Sequence, residues 1–432
     1  MVAADGSGAD HDVIVIGGGL AGLAAARVAH EAGKRVAVFE ASDQVGGRAR
    51  TDVVDGFLID RGFQVLLTSY PQARRQLDYD ALELSEFEPG ATVWNGDRMT
   101  TMADPLRRKL RLPESVMSPI GTLGDKLKVL GWRRRVTRGR NPYAAMFQVP
   151  ETSALEALRD REGFTREMID GFLRPFYSGI LLENELASSS RMLDFTFRMF
   201  ATGAAALPAR GMGQLAYQML AYLPPASVRL NSPVVSIDGA TVTLADGTSH
   251  IGHSVVVAVD GWSAHELLGE SVVPDVGAAA TACLWFAAPH SPAPGKMLVL
   301  NGAGPGDGPV NNVAVVSDVA PGYAPTNSSL VAVSLIGIPG GSDSDIENAV
   351  RKQLSRWFGA GGVGMWRLLS LQRITHALPD QSPPWLTQPS WPVELAPGRY
   401  ICGDYRDTAS IDGALRSGAA AGARAAAYVS GA

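Results

Sequence analysis

Two short apolar runs near the start of the chain flank a segment in which small and apolar residues recur at helical spacing. Residues 13–16 are continuously apolar and rich in β-branched side chains, which predicts a strand buried on both faces. The helical spacing continues to Gly33, where a helix is predicted to end. Residues 35–39 form the second apolar run, so the pattern predicts a βαβ unit.

Farther along the chain, the same patterns predict further helices and strands. Ser153 and Glu156 have the spacing of a capping box, which predicts that a helical region over 153–223 begins there. A buried strand ending at Gly403 and an alanine-rich helix from residue 410 close the chain. Between these regions the predicted strands are 234–237, 241–244, 255–259, 298–300, 312–317 and 330–336, and a helix is predicted at 343–358.

Glycines lie between the first predicted strand and helix in the pattern Gly17-x-Gly19-x-x-Gly22. The first permits a tight turn, the second lets the backbone approach a pyrophosphate, and the third lets the helix pack closely on the strand. Glu40 ends the second strand, where a carboxylate can accept hydrogen bonds from ribose hydroxyls and disfavours a 2′-phosphate. Because strand, glycines, helix and acid occur in this order, the sequence predicts a dinucleotide site.

Composition limits the remaining choices. The chain has 432 residues and a formal net charge of -5, so nothing overall indicates nucleic-acid binding. Cys283 and Cys402 are far apart and have apolar neighbours, which favours two buried thiols in a reducing compartment over a disulfide or a metal site. Residues 1–11 have the composition of a disordered leader without the features of a signal peptide. No apolar run is long enough to span a bilayer, and we expect a cytoplasmic location with peripheral membrane contact left open.

Residues 105–140 form a basic segment with interleaved apolar positions, opposed only by Glu114 and Asp125. One interpretation is a set of solvated helix faces on an insertion. The other is a basic amphipathic patch that rests on anionic lipid and admits an apolar substrate from the membrane. The basic residues are Arg107, Arg108, Lys109, Arg111, Lys126, Lys128, Arg133, Arg134, Arg135, Arg138 and Arg140.

A second glycine pair, Gly46-Gly47, is followed by Arg48 a few residues beyond Glu40. With the fingerprint glycines, these residues resemble the FAD-binding start of the flavin-containing amine oxidase and phytoene desaturase superfamily. Gly403-Asp404, followed by residues 410–418, is similar to the second fingerprint of that superfamily. The resemblance implies non-covalent FAD, with its ADP half on the βαβ unit and its flavin ring covered by a second, interrupted domain.

The resemblance also implies a set of site residues. Those expected to bind FAD are Gly17, Gly18, Gly19, Leu20, Ala21, Gly22, Glu40, Ala41, Gly46, Gly47, Arg48, Arg61, Gly62, Val235, Gly403, Asp404, Ser410, Ile411 and Ala414. Candidates for the substrate side are Phe63, Gln64, His376 and Trp391. No catalytic residue and no metal ligand is assigned.

The expected fold class is α/β. It combines a Rossmann-like FAD-binding domain, with a central parallel sheet and a β-hairpin layer, and an interrupted α+β substrate domain. The FAD-binding domain is predicted at 12–68, 205–265 and 392–432. The substrate domain is predicted at 69–204 and 266–391.

The expected reaction is hydride transfer from a substrate C–H bond to the flavin, which oxygen or a quinone then reoxidises. Amine oxidases usually carry a lysine near the flavin, but this chain has no lysine between Lys128 and Lys296. Residues 409–411 also lack the aromatic side chain that commonly cages an amine. The desaturase branch of the superfamily, by contrast, resembles this chain at residues 409–414 and 175–177. Together with the departures, this resemblance implies a desaturase or dehydrogenase acting on an apolar, isoprenoid-like or carotenoid-like substrate. An amine oxidase is the first alternative, and a non-redox FAD isomerase or a flavin-binding scaffold is the second.

Overall fold

The structure is a computed structural model and describes residues 9–103, 120–275 and 277–431. The leader prediction lies largely outside the described residues. It is wrong at its end, because the first strand already begins at His11.

An eight-stranded sheet contains the predicted βαβ unit. His11–Ile16 lies between two parallel neighbours, Val36–Phe39 and Ser249–Val257. Ser249–Val257 pairs through its first half with an antiparallel hairpin and through its second half with a parallel C-terminal strand. The other strands of this sheet are Val228–Arg229, Val234–Asp238, Thr241–Leu244, Glu394–Ala396 and Arg399–Ile401. Four consecutive residues of the first strand, Val13 to Ile16, are buried, as expected for a strand covered on both faces.

Two helices pack against each other on this sheet. Leu20–Glu31, the fingerprint helix, follows the first strand directly, and Ile411–Gly431, the C-terminal helix, follows the last one. The short helices Pro71–Gln76, Gln214–Leu220 and Gly261–Leu268 belong to the connections of this part of the chain. Small connecting strands are Thr51–Val54, Phe57–Asp60, Leu66–Leu67, Ser85–Glu86 and Ala205–Leu207.

A second, seven-stranded sheet is antiparallel except for one parallel pair between Leu298–Asn301 and Gly90–Trp94. Its order along the sheet is Arg367–Pro379, Ala278–Ala288, Ser329–Ile336, Val310–Val315, Leu298–Asn301, Gly90–Trp94 and Met99–Ala103. The helices Val316–Val319, Asp343–Phe358 and Ala360–Gly364 accompany it. The predicted strands 298–300 and 330–336 and the predicted helix 343–358 agree with these elements. The predicted strand 312–317 is wrong at its end, because the observed strand stops at Val315 and a helix begins at Val316.

A layer of helices covers the space beside the second sheet. The predicted capping box is present, with Ser153 Oγ accepting from the Glu156 backbone N–H. Two π-helical turns, Ala157–Arg161 and Ile169–Leu173, interrupt the layer. Its α-helices are Leu123–Val136, Pro142–Met146, Ala154–Glu156, Arg166–Met168, Arg174–Leu181 and Ser190–Thr202.

The two sheets and their helices confirm the expected α/β fold class. Strands of the first sheet come from residues 11–39, 228–257 and 394–401, and strands of the second from 90–103 and 278–379. On this sheet membership we propose the domain division stated above. Within the described ranges, every helix is too short or too polar to cross a bilayer.

The basic segment is described only from residue 120. There Arg135 departs from the interpretation of solvated helix faces, because this guanidinium bonds Asp194 at 2.9 Å and also reaches Glu162. The Trp132 indole N–H donates to the same Asp194 at 2.8 Å. These contacts anchor the helix Leu123–Val136 to its neighbour Ser190–Thr202.

Candidate active site

A cavity of about 1100 Å³ lies between the two sheets and the helical layer. Its first wall is formed where the parallel strands end, at Ile16, Phe39 and Ala258. Ligands of open α/β sheets bind outside these carboxyl ends. The opposite wall comes from the second sheet and the helices, so one cavity has room for a dinucleotide and a further ligand.

The fingerprint glycines differ in what surrounds them. Gly17 turns the chain with φ +103°, which a residue with a side chain rarely adopts. A Cβ at Gly22 would overlap the carbonyl of Gly17, which is why the helix can start so close to the strand. A Cβ at Gly19 would meet no atom within 4 Å. The open space at Gly19 adjoins the start of the fingerprint helix, where backbone N–H groups favour a pyrophosphate.

Glu40 is held by its surroundings in an orientation suited to ribose. Its carboxylate accepts the Gly18 N–H at 2.6 Å and the Ser42 N–H at 2.9 Å. The residue is only 8% exposed and still lines the cavity. The remaining acceptor capacity of the two oxygens fits the ribose hydroxyls of an adenosine, and the charge opposes a 2′-phosphate.

Arg48 joins the two fingerprints in space. Its Nη2 donates to Asp404 Oδ1 at 2.6 Å and its Nη1 to the Ala377 carbonyl at 3.0 Å. Arg48 and Asp404 both line the cavity, although 356 positions separate them in the chain. A guanidinium held in this way is suited to phosphate oxygens.

The C-terminal helix presents its first turn to the cavity through Ser410, Ile411 and Ala414. Ser410 Oγ accepts the Gly413 N–H at 3.0 Å. Because a helix N-terminus carries partial positive charge, this turn favours the negative charge that a reduced flavin develops. These groups and the glycine cradle fit FAD.

Val235 lies in a strand irregularity. The pairing of Val234–Asp238 with its neighbour shifts between Val234 and Ser236. The residue at such a bulge is left out of the regular ladder, so its backbone groups can contact a ligand. Val235 lines the cavity.

Of the residues expected to bind FAD, all except Gly18 and Gly22 line the cavity. Those two act through the backbone: Gly18 orients Glu40, and Gly22 permits the close helix start. Contact of any of these residues with FAD stays a prediction.

The substrate-side candidates divide into two pairs. Phe63 and Gln64 line the cavity, although the Gln64 amide donates to the carbonyls of Arg48 and Arg61 at 2.8 and 2.7 Å. The prediction that His376 and Trp391 face the substrate is wrong, because neither residue belongs to the cavity wall. The His376 ring is exposed and packs on Trp262, and Trp391 packs on Trp385 outside the cavity.

The helical layer supplies wall residues to which the sequence pattern assigns no role. Phe172 and Phe176 stack with ring centroids 5.9 Å apart, one helical turn from each other. Phe176 also contacts Phe200 at 5.3 Å. The aromatic runs around these residues were the available signal, but an aromatic run is equally typical of a packed core.

Asp60 lies directly before the predicted flavin contacts Arg61 and Gly62. Burial raises its pKa to about 6, although hydrogen bonds from Thr51, Met212 and Tyr323 act in the opposite direction. Asp60 does not line the cavity, so it supports the loop and does not face a ligand.

Both cysteines are buried and neither lines the cavity, which is compatible with dissociable FAD. Cys402 immediately precedes Gly403, and burial raises the pKa of its thiol to about 12.

The fold and site define a flavoprotein of the dinucleotide-binding α/β class. The family model for flavin containing amine oxidoreductase matches residues 20–426. The chain therefore belongs to this family of FAD-dependent oxidoreductases, and FAD is its cofactor.

Individual relatives match over shorter stretches. Putrescine oxidase of Kocuria rosea is 38% identical over 86 residues, which cover 20% of this chain and 18% of that protein. Protoporphyrinogen oxidase 2 of Arabidopsis thaliana is 27% identical over 191 residues, 41% of this chain and 35% of that protein. The matched stretches thus span about a third or less of these relatives.

The similarity of fold extends over most of the chain. The crystal structure of an oxidoreductase from Methanosarcina mazei superposes with a TM-score of 0.73 at 17% identity, covering 95% of this chain and 99% of that one.

Proposed function

We propose that the protein removes hydride from a C–H bond of an apolar, isoprenoid-like or carotenoid-like substrate. The observation that carries this proposal is the composition of the cavity wall beyond the FAD fingerprints. Most of that wall is aromatic or aliphatic, and its apolar residues include Phe63, Phe87, Met168, Phe172, Leu173, Phe176, Ile180, Met192 and Phe200. Such a wall binds an extended hydrocarbon by burial of apolar surface.

When bound, FAD supplies the hydride acceptor. The residues of the chain bind, orient and exclude water. Phe63 and Phe87 meet edge to face at 6.1 Å, and together with the Phe172–Phe176 stack they keep the reacting region apolar. Orientation of the substrate in a water-excluded cavity is the main contribution that hydride transfer requires of the protein.

A few polar groups of the second sheet also line the cavity. Asn312 Nδ2 donates to Ser334 Oγ at 3.3 Å, and Asn312 Oδ1 accepts from Asn311 at 3.0 Å. Thr281 lines the same wall. We propose that these side chains orient a polar atom of the substrate. We assign none of them a role in proton transfer.

Amine oxidation is the second candidate, favoured by two observations. The matched relatives include a putrescine oxidase. Glu88 and Glu266 place carboxylates in the cavity wall, where they would attract an ammonium group.

Anaerobic reduction of the bound flavin separates the candidates. The purified holoenzyme is mixed without oxygen with an acyclic polyene precursor in detergent, or with a panel of primary amines and polyamines. Bleaching of the flavin by the polyene alone is expected. Bleaching by an amine would favour amine oxidation, and no bleaching by any compound would favour an isomerase or a scaffold. Oxygen or a quinone, added afterwards, should restore the oxidised spectrum.

We further propose that the protein is cytoplasmic and contacts anionic membranes through the helix Leu123–Val136. Leu123 and Leu127 are 63% and 62% exposed, one turn apart, and Lys128 and Arg134 supply positive charge on the same helix. Co-sedimentation with phosphatidylglycerol vesicles at low salt tests this: Leu127→Glu should reduce pelleting, and failure of the unmodified protein to pellet would contradict the proposal.

A further inference from the structure

A row of polar side chains crosses the second sheet where that sheet forms part of the cavity wall. Asn312 pairs with Ser334 on the next strand, and Ser334 pairs with Cys283. Cys283 pairs in turn with Gln372. Residues directly opposite each other in a sheet point to the same face. Asn312 and Ser334 line the cavity and are only 3% and 8% exposed, so this polar pair is enclosed within a mostly apolar wall.

Hydrogen bonds fix which way the Asn312 amide points. Asn311 Nδ2 donates to the Pro175 carbonyl at 3.0 Å and to Asn312 Oδ1 at 3.0 Å. These two acceptors use both hydrogens of the Asn311 amide. Because Asn312 Oδ1 faces this donor, Asn312 Nδ2 lies on the other side of the amide and donates to Ser334 Oγ at 3.3 Å.

The Asn312 amide keeps one unused donor. Its oxygen is covered by the helix Arg174–Leu181, since a Cβ at Gly179 would lie only 3.0 Å from Oδ1. Its Nδ2 carries two hydrogens, and Ser334 accepts one of them. Within the described ranges, the second hydrogen has no acceptor. A buried N–H without an acceptor is unfavourable, so the cavity favours a ligand that supplies one.

We propose that Asn312 Nδ2 donates a hydrogen bond to a carbonyl oxygen of the substrate, which is then a keto-isoprenoid and not a pure hydrocarbon. This inference rests on the proposed function, because it describes the substrate of the same cavity. A carbonyl oxygen accepts this bond without bringing a hydrogen that would itself need a partner. An ammonium group has no lone pair and cannot accept it.

The position of the amide also indicates where the rest of the substrate lies. The carbonyl group would lie beside Gly179, which lines the cavity together with Asn312. Phe176 precedes Gly179 by three residues, so the two share one face of the helix Arg174–Leu181. The apolar body of the substrate would therefore extend from the amide along the Phe172–Phe176 stack.

Farnesylacetone and the alkene in which a methylene group replaces its carbonyl oxygen provide a matched pair of probes. Both are uncharged and nearly identical in shape, and only the ketone accepts a hydrogen bond. Equilibrium dialysis of the tritiated compounds against the holoenzyme, at one detergent concentration, gives the two Kd values. The ratio of the alkene Kd to the ketone Kd defines the carbonyl preference. The two compounds differ in solubility, but this difference is the same for every variant, so a change in the preference reports contacts in the cavity.

Variants assign the preference to the amide. Asn312→Leu, which is similar in size and has no donor, should lower the carbonyl preference about fivefold to tenfold. Asn312→Val, which is smaller and suits a strand, should do the same if the leucine variant does not fold. Ser334→Ala should lower the preference less than Asn312→Leu does, because the Nδ2 donor remains.

Asn301→Leu is the matched control. Asn301 is also a buried asparagine of the second sheet, but it does not line the cavity, and its Nδ2 donates to the Gly304 and Val310 carbonyls. Its carbonyl preference should equal that of the unmodified protein. Thermal unfolding and FAD content establish that each variant is folded before its Kd values are compared.

An unchanged carbonyl preference in a folded Asn312→Leu or Asn312→Val variant would overturn the proposal. A loss of equal size in Ser334→Ala would also overturn it, because the hydroxyl group would then be the donor. The same loss in Asn301→Leu would overturn it as well, since the preference would then depend on the general packing of the sheet. The dialysis requires no turnover. Absence of flavin reduction by polyenes would therefore contradict the proposed function, while the carbonyl preference would still decide the role of Asn312.

Discussion

At the scale of single residues, Asp60 shows how a buried carboxyl group supports the site without facing it. Thr51 Oγ1, the Met212 N–H and the Tyr323 hydroxyl donate to its oxygens at 2.5, 3.0 and 2.9 Å. These donors come from three separate parts of the chain. Asp60 therefore holds the loop that continues into Arg61 and Gly62.

The pKa of Asp60 predicts a pH dependence of stability. Because burial raises the pKa from 3.8 to about 6, the folded protein takes up this proton before the unfolded chain does. The contribution of Asp60 to the free energy of unfolding should thus increase as pH falls from about 6 to 4, and stay constant above 7. We expect the free energy of unfolding of the unmodified holoprotein, minus that of Asp60→Asn, to change by on the order of 1–3 kcal/mol over this window.

Chemical denaturation at fixed FAD concentration, at several pH values between 4 and 8, measures this difference. Thr375→Ala, which removes an exposed hydroxyl and no titratable group, is the control and should show no such trend. A stability difference for Asp60→Asn that is the same at every pH would show that Asp60 keeps its ordinary pKa.

At the scale of elements, the fingerprint helix depends on the C-terminal helix packed against it. A Cβ at Gly418 would overlap the carbonyl of Ala21, and a Cβ at Gly422 would overlap that of Ala25. The two backbones therefore touch without intervening side chains. Since Ala21 lies in the first turn of the fingerprint helix, this contact positions the N–H groups proposed to bind the pyrophosphate.

Gly418→Ala tests this packing. Alanine should stabilise the isolated helix by about 1 kcal/mol relative to glycine. We nevertheless expect net destabilisation of about 1–3 kcal/mol, because the added methyl group must push the two helices apart. Weaker FAD retention should accompany it. Thermal unfolding and FAD content after gel filtration measure both effects.

Gly431→Ala is the control, since no atom lies within 4 Å of a Cβ there. A Gly418→Ala variant more stable than the unmodified protein would contradict the close packing.

Elements also explain which parts of the site could be predicted from the sequence. The fingerprint glycines and Glu40 were predictable, because their roles depend on a strand, a turn and a helix that are contiguous in the chain. His376 was not. Thr281 pairs with Ile374 while Ala279 pairs with Leu378, so two residues of one strand face four of its neighbour. This irregularity breaks the alternation of side chains, and Ala377 lines the cavity in place of His376.

At the scale of the whole molecule, the cavity exists because two sheets meet, and the sequence carries no local signal for that meeting. Gln372, on the strand Arg367–Pro379 of the second sheet, makes one of the connections. Its Oε1 accepts the Gly62 N–H at 2.7 Å and the Trp285 indole N–H at 3.2 Å. Its Nε2 donates to the Asp60 carbonyl at 3.1 Å. One amide group thus links the second sheet to the loop that is expected to contact the flavin.

Gln372→Leu should weaken FAD retention although Gln372 belongs to neither fingerprint and does not line the cavity. The substitution leaves the N–H groups of Gly62 and Trp285 without their acceptor, which should cost about 1–3 kcal/mol. We expect the FAD Kd, measured by titrating apoprotein and following flavin fluorescence, to rise about tenfold.

Thr375→Ala, which removes an exposed hydroxyl from the same strand, should bind FAD normally. Normal FAD affinity in Gln372→Leu, with lowered thermal stability, would mean that Gln372 joins the sheets without positioning the loop. Lower affinity in Gln372→Leu alone would show that the second sheet helps to form the FAD site, because an intact pair of fingerprints would then be insufficient to hold the cofactor.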